Sequence, residues 1–436
     1  MIRQVWAMSL SLLCWGGLAH ATERSQPDQA VARPDASIAA TGDVATPVPI
    51  DDIQRFVAVY NAVKQAYVDP VDDHTLMHNA IRGLLTGLDP HSTYFDNDDA
   101  QSFEEQTTGA YEGIGIELQQ QQDNTLRVIS SIDDTPAARA GIVSGDVIIA
   151  IDGKPIATIG SMSPLRGRSG TWVALRILRR NESPLNIRVQ RETIHVASVR
   201  SRMLETSVGY VRISTFQSNT AADFEARLKL LQSQAGDHLH GLVLDLRSNP
   251  GGLLTAAVKI ADDLLDHGTI VTTRGRIAAS DSHFDATPGD LLKGAPIVII
   301  VDAGSASASE VLAAALHDNH RAFLIGSRTF GKGSVQTLLP LDNGDSIKLT
   351  TARYYTPSGR SIQAQGIEPD LVLTPETTSK NQPRSVYSES NLPGHLSSDS
   401  KGSTNVAVGD TLTGDGPIRA ALAQLKRGSV STQQPK

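Results

Sequence analysis

The stretch GSASASEVLAAALHDNH, residues 304 to 320, sets Ser305, Ser307 and Ser309 at alternate positions directly before an alanine-rich apolar run. A serine between the tip of a buried strand (PIVIIVD) and the start of a helix sits where free backbone N–H groups converge, and such groups can hold an oxyanion. The chemistry on offer is attack by a serine hydroxyl. The same residues also read as a helix start: Ser307 and Glu310 fit the S-x-x-E capping box, in which hydroxyl and carboxylate satisfy orphan amides reciprocally. Taken alone, the motif favours the cap.

A serine nucleophile needs a base. No G-x-S-x-G elbow is present, and the spacing of His267, His283, His317 and His320 recommends none of them; His317 and His320 read as a solvated helix end. TFGKGSVQ offers Lys332 instead, set between two glycines in a segment with few charges. A lysine acts as a base only when neutral, which requires desolvation. The competing readings are a solvated surface lysine or a phosphate-binding one, although the G-x-x-x-x-G-K-[ST] loop is absent. Upstream, LDLRSNPGGLL has the strand, tight turn and helix order that exposes amides at a helix start. Gly251 or Gly252 could then join the Ala308 amide as oxyanion donors; the alternatives are an ordinary tight turn and a phosphate site, although the spacing is not G-x-G-x-x-G.

These groups need a scaffold, and 436 residues exceed one compact core, so two or three domains are expected. Residues 1–21 stand apart as a signal peptide: a basic Arg3, the apolar run VWAMSLSLLCWGGLA and the small-x-small site Ala19-His20-Ala21. The mature chain is expected to start at Thr22 in the periplasm; retention of the segment as a membrane anchor is the alternative. Cys14, the only cysteine, lies inside that segment. Its removal excludes cysteine nucleophiles, cysteine metal sites and disulfides together. Asp, Glu and His are too scattered to suggest a metal site, and no cofactor is expected. A net charge of -8 makes nucleic acid a poor partner.

Residues 22–50 read as a flexible linker and 51–109 as an N-terminal helical region, with Phe56, Val59, Val63, Tyr67, Leu76, Ile81, Leu84 and Leu85 at helical spacing and LDPHSTYF closing it. Residues 110–193 are β-rich. From 194 to 376 apolar strands alternate with helical stretches at 220–234, 253–266 and 307–318, which argues a βα-layered domain. Residues 377–436 form a low-complexity tail, with 378–413 expected to be disordered and GPIRAALAQLK a short terminal helix.

The string SASASEVLAAALHDNHRAFLIGSRTFGKGSVQ, with LDLRSNPGG upstream and RYYTPSGRSIQAQGIEPD downstream, resembles the carboxyl-terminal processing proteases, tail-specific serine proteases of peptidase family S41. AYEGIGIEL followed by PAARAGIVSGDVIIAIDG resembles a PDZ domain. The resemblance implies a multidomain α/β chain: an N-terminal helical segment, a β-rich α+β PDZ domain and a crotonase/ClpP-like βα-layered serine protease domain. It makes Ser307 the nucleophile, Lys332 its general base and Gln336 the third member of a Ser-Lys-Gln triad. Spacing does not assign Gln336 that role, since residues four apart on an ideal strand stand roughly 13 Å apart. Either the glycines bend the chain or Lys332 reaches back. Relatives usually carry Asn where this chain has Ser248, a difference in the turn rather than the chemistry.

A glycine-rich turn beside a strand edge can present amides to a terminal carboxylate while the peptide adds as a strand. Here the Gly113, Ile114 and Gly115 amides would take the carboxylate and Ile116 would line the pocket. In relatives an arginine of the PLRGRSGT stretch couples the loaded PDZ domain to the catalytic glutamine, which points to Arg166, with Arg168 two residues away. The expected partners are protein substrates bound by their C-termini and further copies of the chain as a homo-oligomer; an adaptor or activator protein is left open. Two readings from other classes compete with an endopeptidase: a non-catalytic PDZ binding protein, and a crotonase-like acyl transferase.

Overall fold

An unbroken apolar strand needs cover on both faces, and the runs GLVLD, IVIIV and AFLIG set the architecture around them. In the computed structural model they are the centre of a six-stranded sheet, ordered Val199–Glu205, Val208–Ile213, Gly241–Asp245, Ile297–Val301, Ala322–Gly326, Leu371–Val372. Only the first pair is antiparallel. Helices Thr220–Gln234, Leu254–Leu264 and Ala308–Asp318 bury Phe224, Ile260 and Leu312 against Leu242, Leu244 and Ile299 of one face. Because successive side chains alternate across a strand, Val243, Val298, Ile300 and Ile325 emerge on the other, where Ile418, Ala421 and Leu425 of the terminal helix Gly416–Ser431 cover them.

The structure describes residues 47–121, 125–132, 134–159, 163–180, 182–375, 388–399 and 408–431. The expected signal peptide, and the linker up to residue 46, lie outside them. Pro49–Lys436 forms one compact unit, which holds every element named in this section.

A second, antiparallel sheet carries Ser334–Pro340 beside Ser346–Tyr355, with Thr269–Gly275 and Ser282–Asp285 beyond. The N-terminal region supplies helices Ile50–Ala66, Asp73–Thr86 and Asn97–Thr108. LDPHSTYF does more than close that region, however: its strand Thr93–Phe95 pairs with Ser346–Lys348 and so joins this second sheet. Residues 110–195 fold around their own core of Ile114, Val128, Ile148 and Leu175. There the strand Trp172–Leu178 buries Val173, Leu175 and Ile177 and exposes the residues between them, as a two-residue period requires.

The disorder expected over 378–413 does not hold where that region is described. Glu389 is fully buried, and Leu412 is 3% exposed and donates its N–H to Asp302. Few apolar residues mark this stretch; backbone and carboxylate bonds anchor it, and hydropathy does not register those.

Candidate active site

The three serines divide by what their surroundings demand. Ser305 Oγ donates to Leu246 O at 2.8 Å and accepts Asp302 N–H at 3.0 Å, while Ser309 Oγ donates to Asn249 O at 2.9 Å. Both fasten the helix start to the LDLRSNPGG turn. Ser307 lies between them as the N-cap of Ala308–Asp318, with the capping box in place. Its φ of +55° lies in a region L-residues avoid, at a cost of about 1–3 kcal/mol. Buried and facing Ser307, the Tyr354 phenol is pushed up to about 12 by loss of solvent.

The glycine turn comes within van der Waals reach of that serine. A Cβ on Gly251, whose φ is +101°, would stand 2.9 Å from Ser307 Cβ and 3.0 Å from Ala308 N. One on Gly252 would stand 2.1 Å from Phe216 O. Gly251 N–H donates to Asn249 Oδ1 at 2.9 Å, so that amide is already committed. The N–H groups of Gly252 and Ala308 have no acceptor among the described residues. Asp302, fully buried, ties the two turns by accepting Ser248 N–H at 2.7 Å and Gly304 N–H at 3.0 Å.

Lys332 comes to the serine through Glu310. This fully buried carboxylate accepts Ser307 N–H at 2.8 Å and Lys332 N–H at 2.9 Å on one oxygen. The two backbone nitrogens are therefore within two hydrogen-bond lengths of each other. Its other oxygen accepts Gly331 N–H at 2.8 Å and the Thr329 hydroxyl. Burial pushes Glu310 up to about 7 against the pull of these four donors. Burial also pushes Lys332 down to about 8, helped by the positive charge of Lys348 and opposed by Glu389, Glu310 and Asp89. The desolvation that a lysine base requires is present.

Gln336 is not joined to Lys332 in this state. Its Nε2 donates to Ser334 Oγ at 3.0 Å and Thr350 Oγ1 at 3.2 Å. Lys332 precedes the strand Ser334–Pro340, and a bulge falls between Val335 and Gln336, so the two are not separated by four residues of ideal strand. Arg166 pairs with Glu105 and lies 5.8 Å from the Tyr111 ring. In the PDZ loop, Ile114 O and Gly115 O are held inward by Ala137 N–H and Ile132 N–H. The N–H groups of Ile114 and Gly115 have no acceptor among the described residues. Gly113 ends the strand Ala110–Gly113, and Ile116 opens Ile116–Gln120, which pairs with Leu126–Ser131 on one side and leaves an edge on the other.

Sequence reasoning missed Asn249 and Asp302 as organisers of the turns and saw in Glu310 only a cap. It also missed Asp89, which accepts His91 N–H, Ser92 N–H and the Thr350 hydroxyl; a D-P turn signal in LDPHS was the available clue.

Residues 207–373 match the family model for peptidase family S41, 113–190 that for the PDZ domain, and 13–99 that for the activating protease CtpB N-terminal domain. A carboxy-terminal-processing protease of Bartonella bacilliformis is 45% identical over 350 residues, covering 79% of this chain and 80% of that protein. The carboxy-terminal processing protease CtpA of Bacillus subtilis is 34% identical over 317 residues, 72% of this chain and 67% of that one. Among solved structures, a photosystem II D1 C-terminal processing protease aligns with a TM-score of 0.45 and 29% identity, over 75% of this chain and 94% of that chain. Identity of 45% over 79% of the chain, with the family-model matches, settles the family: the chain belongs to peptidase family S41 and is a PDZ-containing serine protease of the carboxy-terminal-processing kind.

Proposed function

We propose that the chain is an endopeptidase working by a Ser307–Lys332 dyad, with Gln336 completing a triad when substrate is engaged. The supporting observation is the Glu310 oxygen that bridges the amides of Ser307 and Lys332, beside the uncommitted amides of Gly252 and Ala308. Ser307 Oγ bonds to the peptide carbonyl carbon as its proton passes to neutral Lys332 Nζ. Negative charge on the carbonyl oxygen is held by the Gly252 and Ala308 N–H groups. As the C–N bond breaks, Lys332 returns the proton to the leaving amine; water, deprotonated by Lys332, then cleaves the acyl ester and restores Ser307. Gly251 serves by lacking a side chain, not by donating its amide.

The substrate's C-terminal carboxylate is captured by the Gly113–Ile114–Gly115 amides while its last residues extend along Ile116–Gln120. Cleavage after Ala21 would release the mature chain into the periplasm. It works as a homo-oligomer: no residue of Ile50–Ala66 is buried, and Phe56 and Val59 are 46% and 60% exposed, an apolar face suited to a second copy. The test is cleavage of an unstructured protein by the purified chain beside Ser307→Ala and Lys332→Ala, with the substrate's terminal carboxylate free or amidated. The reading requires both variants to be inactive and the amidated substrate to be cut more slowly; turnover by Lys332→Ala would sink the mechanism.

A further inference from the structure

Glu389 is a carboxylate without solvent exposure in a stretch that the sequence placed in a low-complexity tail. A charge so buried needs partners. His91 Nε2 lies 2.8 Å and 3.1 Å from its two oxygens, and Gln363 Nε2 donates to it at 2.9 Å. The backbone bonds are more informative. Glu389 N–H donates to Phe330 O at 3.0 Å, and the Gln363 side chain that it holds accepts Gly333 N–H at 2.9 Å. Phe330 and Gly333 flank Lys332. The segment 388–399 is fastened again at its far end, where Arg353 donates to Ser397 O at 2.8 Å and pairs with Asp399.

We propose that Glu389 is a positioning residue for Lys332: it clamps the lysine loop at Phe330 and, by way of Gln363, at Gly333, and sets a negative charge near the ammonium that forms during turnover, with His91 holding it in place. The proposal rests on the Ser307–Lys332 reading. The charged groups acting on Lys332 are Lys348, which disfavours its protonated form, and Glu389, Glu310 and Asp89, which favour it. His91 is the titratable group facing Glu389. The N-terminal region and the segment 388–399 thus meet beside the lysine loop, one supplying the imidazole and the other the carboxylate.

The experiment measures kcat and KM against pH for full-length wild type, Glu389→Gln and Glu389→Ala, beside Ser307→Ala and Lys332→Ala. In Glu389→Gln the lysine loses a favourable charge, so the rising limb of kcat/KM moves to lower pH. In Glu389→Ala the side-chain bonds to His91 and Gln363 are lost as well, leaving only the backbone bond to Phe330, and kcat falls on the order of tenfold or more with KM little changed. Should the glutamine variant not fold, Glu389→Asp serves, since it draws the charge back and should move the limb the same way. An unmoved limb with wild-type kcat in the folded Glu389 variants overturns the proposal and leaves the dyad standing. Turnover by Ser307→Ala or Lys332→Ala overturns the dyad, and this inference with it.

Discussion

The turn that carries Ser307 and the loop that carries Lys332 are built in opposite ways. Around Ser307 the geometry comes from two adjacent strand-turn-helix units whose glycines, buried serines and Asn249 lock backbone to backbone. Around Lys332 the loop is held by single backbone bonds to distant segments, with Ala364 N–H on Gly331 O and Tyr354 N–H on Gly333 O, both at 2.8 Å, and by side chains from elsewhere: Glu310, Gln363 and, through it, Glu389. A strand-to-helix junction defines a nucleophile's position to a fraction of an ångström, whereas a base on a loop can be moved, charged or neutralised by remote groups. Damage to the turn should therefore remove the chemistry outright, and damage around the loop should tune it.

Glu310 joins the two regions, so its loss should be the most severe. Glu310→Ala orphans three buried N–H groups and a hydroxyl, each worth about 1–3 kcal/mol; stability should fall by several kcal/mol and turnover should vanish. Glu310→Gln is the sharper variant, because its amide nitrogen must face donors on one side whichever way it turns. We expect urea denaturation to show a loss of about 2 kcal/mol and kcat to drop on the order of a hundredfold. A Gln variant with wild-type kcat would mean that the bridge only builds the fold.

The turn itself is broken at Gly252. With φ at +133° and Phe216 O only 2.1 Å from an added Cβ, Gly252→Ala forces the backbone to shift. Loss of one oxyanion donor costs about 10²–10³ in kcat, and KM should change little. Equal loss in KM would assign the glycine to substrate binding instead.

The loop should respond by shift rather than by loss. In the proposed mechanism Lys332 acts only when neutral, and burial brings it down to about 8, so kcat/KM should climb as pH rises through that value. Lys348 is one cause of the low position, and its ammonium sits 5.2 Å from the Phe95 ring centre. Lys348→Met keeps the packing and removes the charge, so the limb should move to higher pH, with activity at neutral pH down by roughly a few-fold. This is the opposite direction to Glu389→Gln. Limbs that fail to move apart in the two variants would show that burial alone sets the base.

The same division explains what the sequence disclosed. Strand and helix periodicity placed the Ser307 junction and the layered sheet because local pattern determines them: the expected helices at 220–234 and 307–318 are found at Thr220–Gln234 and Ala308–Asp318. Lys332 stood out by its glycines, but nothing near it in sequence tells that Glu310 would hold it or that Glu389 would approach it. A carboxylate that folds back over more than fifty residues leaves no periodic trace. Choosing between Gly251 and Gly252 was beyond spacing too, since the answer depends on where Asn249 Oδ1 points.

The smallest effect tests whether strain in the turn is confined to the nucleophile. Ser248 is exposed and has a φ of +51°, and its hydroxyl reaches Asp302 only at 3.4 Å, so its side chain contributes little there. Asparagine tolerates the left-handed region better than serine, and the Ser248 N–H bond to Asp302 does not depend on the side chain. Ser248→Asn should therefore leave kcat unchanged and add about 0.5 kcal/mol, read as a melting temperature higher by roughly 1–2 °C. A gain would place relievable strain at Ser248 and leave the cost at Ser307 as the part the chemistry needs. A lower melting temperature would mean that Asp302 and Gly304 fit serine specifically, making this half of the turn as closely built as the other.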